Sequence, residues 1–256
     1  MRQDRESSRK LLVVGGCGGI GARLVERAIE DGYQVTVFDL DRSISNAKLH
    51  DHARYVACDV SDEASVDRAF SELQSSNSGL DHLVNLSGYT GERIDAVDMT
   101  ISQWNAILQT NLTGAFLVAR KAGPLLARSA APKQLPSAVF ISSTFGVRVP
   151  HKGYAPYAAA KAGVINLVRA LATEWAPSVR VNGIAPGAVN TPFLKGGTGR
   201  LEKKSGLDVE AFVATVPLRR LGEPDDIVGP ILFLLGPDAA YLTGQTLHVN
   251  GGGYAP

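Results

Sequence analysis

Cysteine is scarce in this sequence: Cys17 and Cys58 are the only two, and both stand inside otherwise apolar stretches. A chain of this length does not need stapling, so a disulfide framework is excluded and a reducing, cytoplasmic setting is expected. Long apolar runs are missing as well. The strongest, such as Ile231 to Leu235, fall far short of the ~20 residues that a bilayer span requires. The opening MRQDRESSRK is too polar for a signal sequence, so no targeting or membrane segment is expected. Charge of one sign is also absent. Twenty-six basic against 25 acidic residues leave a net charge of +1, which supplies no field for holding nucleic acid or an anionic membrane. Any anion-binding site must therefore be local.

What is present, over 256 residues, is a globular composition with 45% hydrophobic residues. Short apolar, often β-branched runs recur at Leu11–Val14, Gln34–Phe38, Tyr55–Ala57, His82–Leu86, Ala138–Ile141, Arg180–Ile184 and Thr246–Val249. Each reads as a buried strand. Between most of them lie segments of helical period, such as Ile20–Glu30 with Ile20, Leu24 and Ala28 on one face. Strand alternating with helix predicts an α/β fold: a Rossmann-like, doubly wound parallel sheet of about seven strands with helices on both faces. The Ala- and Leu-rich segments Ile101–Ala130 and Tyr157–Trp175 read as helices buried on more than one side, suited to a subunit interface. No repeat or linker divides the chain, so residues 1–256 read as one domain. Residues 1–9 form a polar extension, and 192–216 form a loop region that includes the polar stretch Lys195–Asp208.

Directly after the first strand comes GGCGGIG, residues 15–21, which opens into the first helix. Glycines at 15, 18, 19 and 21, with Ile20 among them, suit a sharp strand-to-helix turn whose backbone amides approach a pyrophosphate. Cys17 reads as a small residue tolerated in that loop. Asp39 ends the second strand, 18 residues beyond Gly21, where a carboxylate accepts hydrogen bonds from both hydroxyls of an adenosine ribose and repels a 2′-phosphate. NAD is therefore expected ahead of NADP, with Leu40 beside the ribose and Arg42 as the one rival cation nearby.

From about Lys10 to Gly253 these residues resemble the short-chain dehydrogenase/reductase family, in its single-domain branch. The resemblance implies an NAD(P)-binding domain. It sets Asp59-Val60 beside the adenine, and Asn85-Leu86-Ser87-Gly88 where the family carries Asn-Asn-Ala-Gly, with Asn85, Ser87 and Gly88 near the cofactor. It makes Pro186-Gly187 a cofactor-clasping turn and puts Val189 and Thr191 on the nicotinamide side. Val14 stands where most members carry threonine.

The strongest signal is Tyr157-Ala-Ala-Ala-Lys161. Residues four apart share a helix face, so the phenol and the ammonium point into one pocket. A tyrosine needs that help, because its ordinary pKa of about 10 makes it a poor base at neutral pH. The partner hydroxyl is Ser143 if Gly146 anchors the alignment, which leaves 14 residues from Ser143 to Tyr157. The family's usual separation is one shorter and selects Thr144. Ser143 is preferred, with the extra residue absorbed in the loop that follows. Tyr154 is set aside because Ala158, not lysine, stands four residues later. Asn111, in Asn111-Leu-Thr-Gly114, matches the asparagine that the family uses on the proton path to the lysine.

The expected activity is hydride transfer between a secondary alcohol or ketone and NAD, with catalytic residues Asn111, Ser143, Tyr157 and Lys161. An NADPH-dependent 3-ketoacyl-(carrier protein) reductase is the alternative, for which Arg120, Lys121, Arg128 and Arg169 would form a basic docking surface. A non-catalytic dinucleotide sensor is the alternative of another class. No metal is expected, since His50, His52, His82, His151 and His248 show no ligand spacing. The resemblance implies a homotetramer. Specificity is expected from 195–208, from Phe212, Val213, Val216 and Leu218, and from Tyr89–Arg93 and His151, with Arg200, Lys203 and Lys204 as charges on the loop.

Overall fold

A computed structural model describes residues 9–76, 79–131, 135–199 and 207–255. In chain order the elements are β1 (Lys10–Val14), α1 (Gly19–Glu30), β2 (Gln34–Asp39), α2 (Asp41–Asn46), β3 (Ala53–Ala57), α3 (Glu63–Ser76) and β4 (His82–Asn85). The second half continues with α4 (Ile101–Leu108), α5 (Gly114–Arg128), β5 (Ser137–Ile141), α6 (Ala155–Trp175), β6 (Arg180–Pro186), α7 (Val209–Thr215), α8 (Pro224–Leu235) and β7 (Thr246–Val249).

The seven strands form one parallel sheet in the order β3-β2-β1-β4-β5-β6-β7. Every strand run read from the sequence is present. Their apolar residues follow the two-residue period of a sheet covered on both faces. Leu12, Val14, Leu83, Ala138 and Phe140 join one core layer, which holds Val66 and Phe70 of α3, Val118 and Leu126 of α5 and Val164 and Val168 of α6. Leu11, Val13, Val84 and Val139 point the other way, into a layer with Leu24, Val25 and Ala28 of α1 and Ile227, Ile231 and Leu234 of α8. The chain order reverses between β1 and β4, and a cleft opens beyond the carboxyl ends of those strands, as doubly wound sheets require.

The segment expected as one helix from Ile101 is interrupted. A π turn at Gln109–Thr113 joins α4 to α5 and carries the buried Asn111. Among the described residues, no helix is long and apolar enough to cross a membrane.

Candidate active site

The carboxyl ends of the strands enclose a cavity of about 950 Å³. At one end β1 turns into α1 through the glycine loop. Gly15 has φ +83°, and a Cβ there would lie 3.0 Å from the backbone of Leu86, so only glycine lets the loop pass this close to β4. A Cβ on Gly21 would sit 2.2 Å from the Gly15 carbonyl, which sets α1 hard against the loop. Gly18 precedes α1 without any side-chain cap, so the first amides of the helix face the cavity free of a side-chain partner.

Asp39 stands at the cavity edge, where its two oxygens accept the Cys17 amide at 2.9 Å and the Leu40 amide at 2.8 Å. The carboxylate is thus oriented by backbone. Arg42, the rival cation, is exposed on α2 and does not line the cavity. Burial, reinforced by Asp39, pushes the Cys17 thiol up to about 12, which leaves it protonated and unreactive. Gly18, Gly19, Ile20, Leu40, Asp59, Val60, Ser87, Gly88, Pro186, Gly187, Val189 and Thr191 line the same cavity.

Asn85 does not. It is buried, and its Oδ1 accepts both the amide and the hydroxyl of Ser87, at 3.0 and 2.6 Å, so it shapes the strand end from behind. Asn111 is likewise behind the wall. Its amide donates to the carbonyls of Tyr89 at 2.9 Å and Ile107 at 3.0 Å, and its Oδ1 accepts the Tyr89 amide. A Cβ on Gly88 would meet Asn111 Oδ1 at 2.5 Å and Lys161 Nζ at 3.2 Å, so only glycine leaves room for both side chains here.

Beside the glycine loop, β5 and α6 bring three polar side chains together. Tyr157 and Lys161 lie one turn apart on α6, and both are buried. The Tyr157 side chain lies beside the Ser143 hydroxyl. Lys161 Nζ lies 5.7 Å from the centre of the Tyr157 ring and donates to the Ile141 carbonyl at 3.1 Å. Burial pushes the Tyr157 phenol up to about 12, against a smaller downward pull from the neighbouring Ser143 hydroxyl. Burial also brings Lys161 down to about 8.

Of the two hydroxyls open in the sequence, Ser143 faces Tyr157, whereas Thr144 is turned away and donates to the Pro186 carbonyl at 3.0 Å. In the loop between Ser143 and α6, Gly153 has φ +82°.

The far end of the cavity holds residues that sequence reasoning passed over. Tyr154, set aside for lacking a lysine partner, lines it together with Phe145, Arg148 and Phe193. No local pattern marks these, because they come from three separate segments. Phe212, Val216 and His151 line the cavity as expected, but Val213 does not, and Leu218 is exposed outside it. Thr90, Glu92 and Arg93 represent the Tyr89–Arg93 segment. Arg200, Lys203 and Lys204 lie outside the described residues. The basic surface considered for a carrier protein is partly neutralised by α3, because Arg120 pairs with Glu63 at 2.5 Å and Lys121 with Asp67 at 2.7 Å.

Comparison with known proteins agrees with this geometry. A family profile described as Enoyl-(Acyl carrier protein) reductase matches residues 15–254. The 3-oxoacyl-[acyl-carrier-protein] reductase FabG of Vibrio cholerae is 34% identical, over 95% of this chain and 96% of the relative. The 3-oxoacyl-[acyl-carrier-protein] reductase MabA of Mycobacterium tuberculosis is 31% identical, over 96% and 92%. Among solved structures, a 3-ketoacyl-(acyl-carrier-protein) reductase from Brucella melitensis, complexed with NADH, superposes with a TM-score of 0.84 at 30% identity, covering 95% of this chain and 97% of that one. A glycine cradle facing a Ser–Tyr–Lys cluster, matched over nearly the full length of these reductases, makes the chain a member of the short-chain dehydrogenase/reductase family of oxidoreductases.

Proposed function

We propose that the protein is an NADH-dependent reductase of β-keto carbonyl compounds. The observation that carries the reading is that Ser143, Tyr157 and Lys161, all three buried, line the cavity together. Two hydroxyls aimed at one point suit a single substrate oxygen. Ser143 donates to that oxygen and stabilises its growing charge, while Tyr157 delivers the proton. The phenol, held protonated by burial, carries the proton that reduction consumes.

A nicotinamide dinucleotide suits the cradle at Gly15 and Gly21, where side chains would collide. When bound, it supplies the hydride. The uncapped amides at Gly19–Gly21 would hold its pyrophosphate, Asp39 its adenosine ribose, and Lys161 the ribose beside the reacting ring. Asn111, packed beside Gly88 as Lys161 is, would help to hold a water on a proton path to the lysine.

The sequence-based preference for a general secondary alcohol gives way to the β-keto reading, because the relatives are 3-oxoacyl reductases. The carrier-protein-linked form of that substrate stays as the alternative, because the relatives are acyl-carrier-protein reductases, although Arg120 and Lys121 already pair with Glu63 and Asp67. NADH is kept ahead of NADPH on Asp39, whose oriented carboxylate would oppose a 2′-phosphate.

The test is titration with NADH and, separately, NADPH, followed by nicotinamide fluorescence, and then turnover of a β-keto ester. Tighter NADH binding with turnover that Tyr157→Phe abolishes supports the proposal. Tighter NADPH binding overturns the cofactor assignment. Binding without turnover of β-keto substrates by the intact protein favours the dinucleotide sensor instead.

A further inference from the structure

Resting on the β-keto reading, we infer that the substrate carries an aromatic ring on its ketone, and that Phe145 and Phe193 select for it. Tyr157 lies between these two rings. Its centroid is 6.0 Å from that of Phe145, with the planes at 65°, and 6.4 Å from that of Phe193, at 49°. Phe145 stands edge-on to Tyr154 at 4.9 Å, and Arg93 covers the Tyr154 ring at 5.3 Å, so the aromatic array runs from the proton donor to the rim of the cavity.

These rings are not core residues. Phe145, Tyr154 and Phe193 belong to neither packed layer of the sheet; all three are half-buried and line the cavity. They also come from unrelated parts of the chain: the turn after β5, the start of α6 and the segment after β6. Aliphatic side chains would exclude water from a straight acyl chain equally well.

Reaction geometry says which part of the substrate meets them. With the ketone oxygen held between Ser143 and Tyr157, the carbonyl carbon and its two substituents lie within reach of the rings that flank Tyr157. A flat π-system there gains edge-to-face or offset contacts that an alkyl chain of equal area does not, a factor of roughly threefold to tenfold per ring.

The experiment compares ethyl 3-oxo-3-phenylpropanoate with ethyl 3-oxononanoate, which match in carbon number, in the wild type, Phe145→Leu and Phe193→Leu. Conjugation lowers the intrinsic reactivity of the aryl ketone equally in every variant, so the informative quantity is the change in the aryl-to-alkyl ratio of kcat/KM. The ratio is expected to fall by roughly threefold to tenfold in each leucine variant and to persist in Phe145→Tyr, which keeps the ring. The two product alcohols, titrated by calorimetry into protein saturated with NADH, cannot react, and their Kd ratio is expected to move in the same direction. Ratios unchanged in both leucine variants overturn the inference and leave the β-keto reading standing. Reduction of neither ester by wild-type protein that binds NADH overturns both.

Discussion

The Thr144 hydroxyl donates a 3.0 Å hydrogen bond to the Pro186 carbonyl, tying the turn that carries Ser143 to the turn expected to clasp the cofactor. The same short segment orients Ser143, whose oxygen accepts the Phe145 amide at 3.2 Å. Thr144 is thus a positioning residue. Thr144→Val keeps the shape and removes the donor, leaving a partly buried carbonyl unpaired at a cost of about 1 kcal/mol. If that cost falls on the clasp, Kd for NADH rises about fivefold, and Thr144→Ser restores it. Fluorescence titration decides: an unaltered Kd in the valine variant excludes the coupling.

The pH dependence follows from Tyr157. Its phenol is pushed up to about 12 by burial, so at neutral pH it holds its proton. Reduction uses the protonated form and oxidation the phenolate. Raising the pH from 6 toward 9 is therefore expected to leave kcat/KM for reduction level and to raise that for alcohol oxidation, approaching tenfold per pH unit on the acid limb. Lys161, brought down to about 8, loses its charge within this range, so if the reaction requires the ammonium the rise in oxidation should flatten above that pH. Parallel pH profiles in the two directions check this. An oxidation rate independent of pH would remove Tyr157 from the proton path.

Much of this was legible in the sequence, for local reasons. Buried parallel strands are continuous apolar runs, and the four-residue step from Tyr157 to Lys161 puts both on one helix face whatever the surroundings. Gly15 and Asp39 were legible because one strand-turn-helix unit fixes what each must do. Ser143 against Thr144 was open, because the choice depends on which hydroxyl the turn directs at α6 and which at β6. Phe145, Tyr154 and Phe193 were not legible as a group, since only the closed sheet brings their segments together. The retreat of Asn85 and Asn111 behind the cavity wall has the same cause: their hydrogen-bond partners, Ser87 and Tyr89, are set by the path of the chain after β4.

His82 predicts acid sensitivity. It is almost fully buried at the start of β4, with Nδ1 2.9 Å from the Ser137 hydroxyl and its ring edge-on to Tyr33. Burial, with Arg9 and Arg180 adding to it, lowers its pKa from 6.5 to about 3. Between those values the unfolded chain binds a proton that the native protein refuses. The contribution to stability is complete above about 6.5 and is lost as the pH falls toward 3, at up to about 1.4 kcal/mol per pH unit. Urea midpoints at pH 7 and pH 5 should therefore separate more in the wild type than in His82→Leu. Equal separations would mean that His82 does not contribute to the acid limb.

Arg180 predicts a loss of stability of a different origin. It opens β6 and is 5% exposed, and its guanidinium donates to the carbonyls of Leu234, Leu235, Gly236 and Ala239 at 2.9 to 3.3 Å. The Leu234 and Leu235 carbonyls are among those that α8 leaves unpaired at its C-terminus, where the helix dipole also favours a cation, and the Gly236 and Ala239 carbonyls belong to the turn that follows. The N-terminus of α8 is closed independently, by Pro224 and the Glu223–Asp226 capping box. Arg180→Met keeps the apolar stem and removes every donor, and is expected to cost about 3 kcal/mol, or about 6–12 °C in Tm for a chain of this size. Arg180→Lys keeps the charge but not the planar fork, so it should recover only part of the loss. Denaturant midpoints for the three proteins give the order directly. If the methionine variant falls within about 1 kcal/mol of the wild type, water is satisfying the end of α8 and the guanidinium is not its cap.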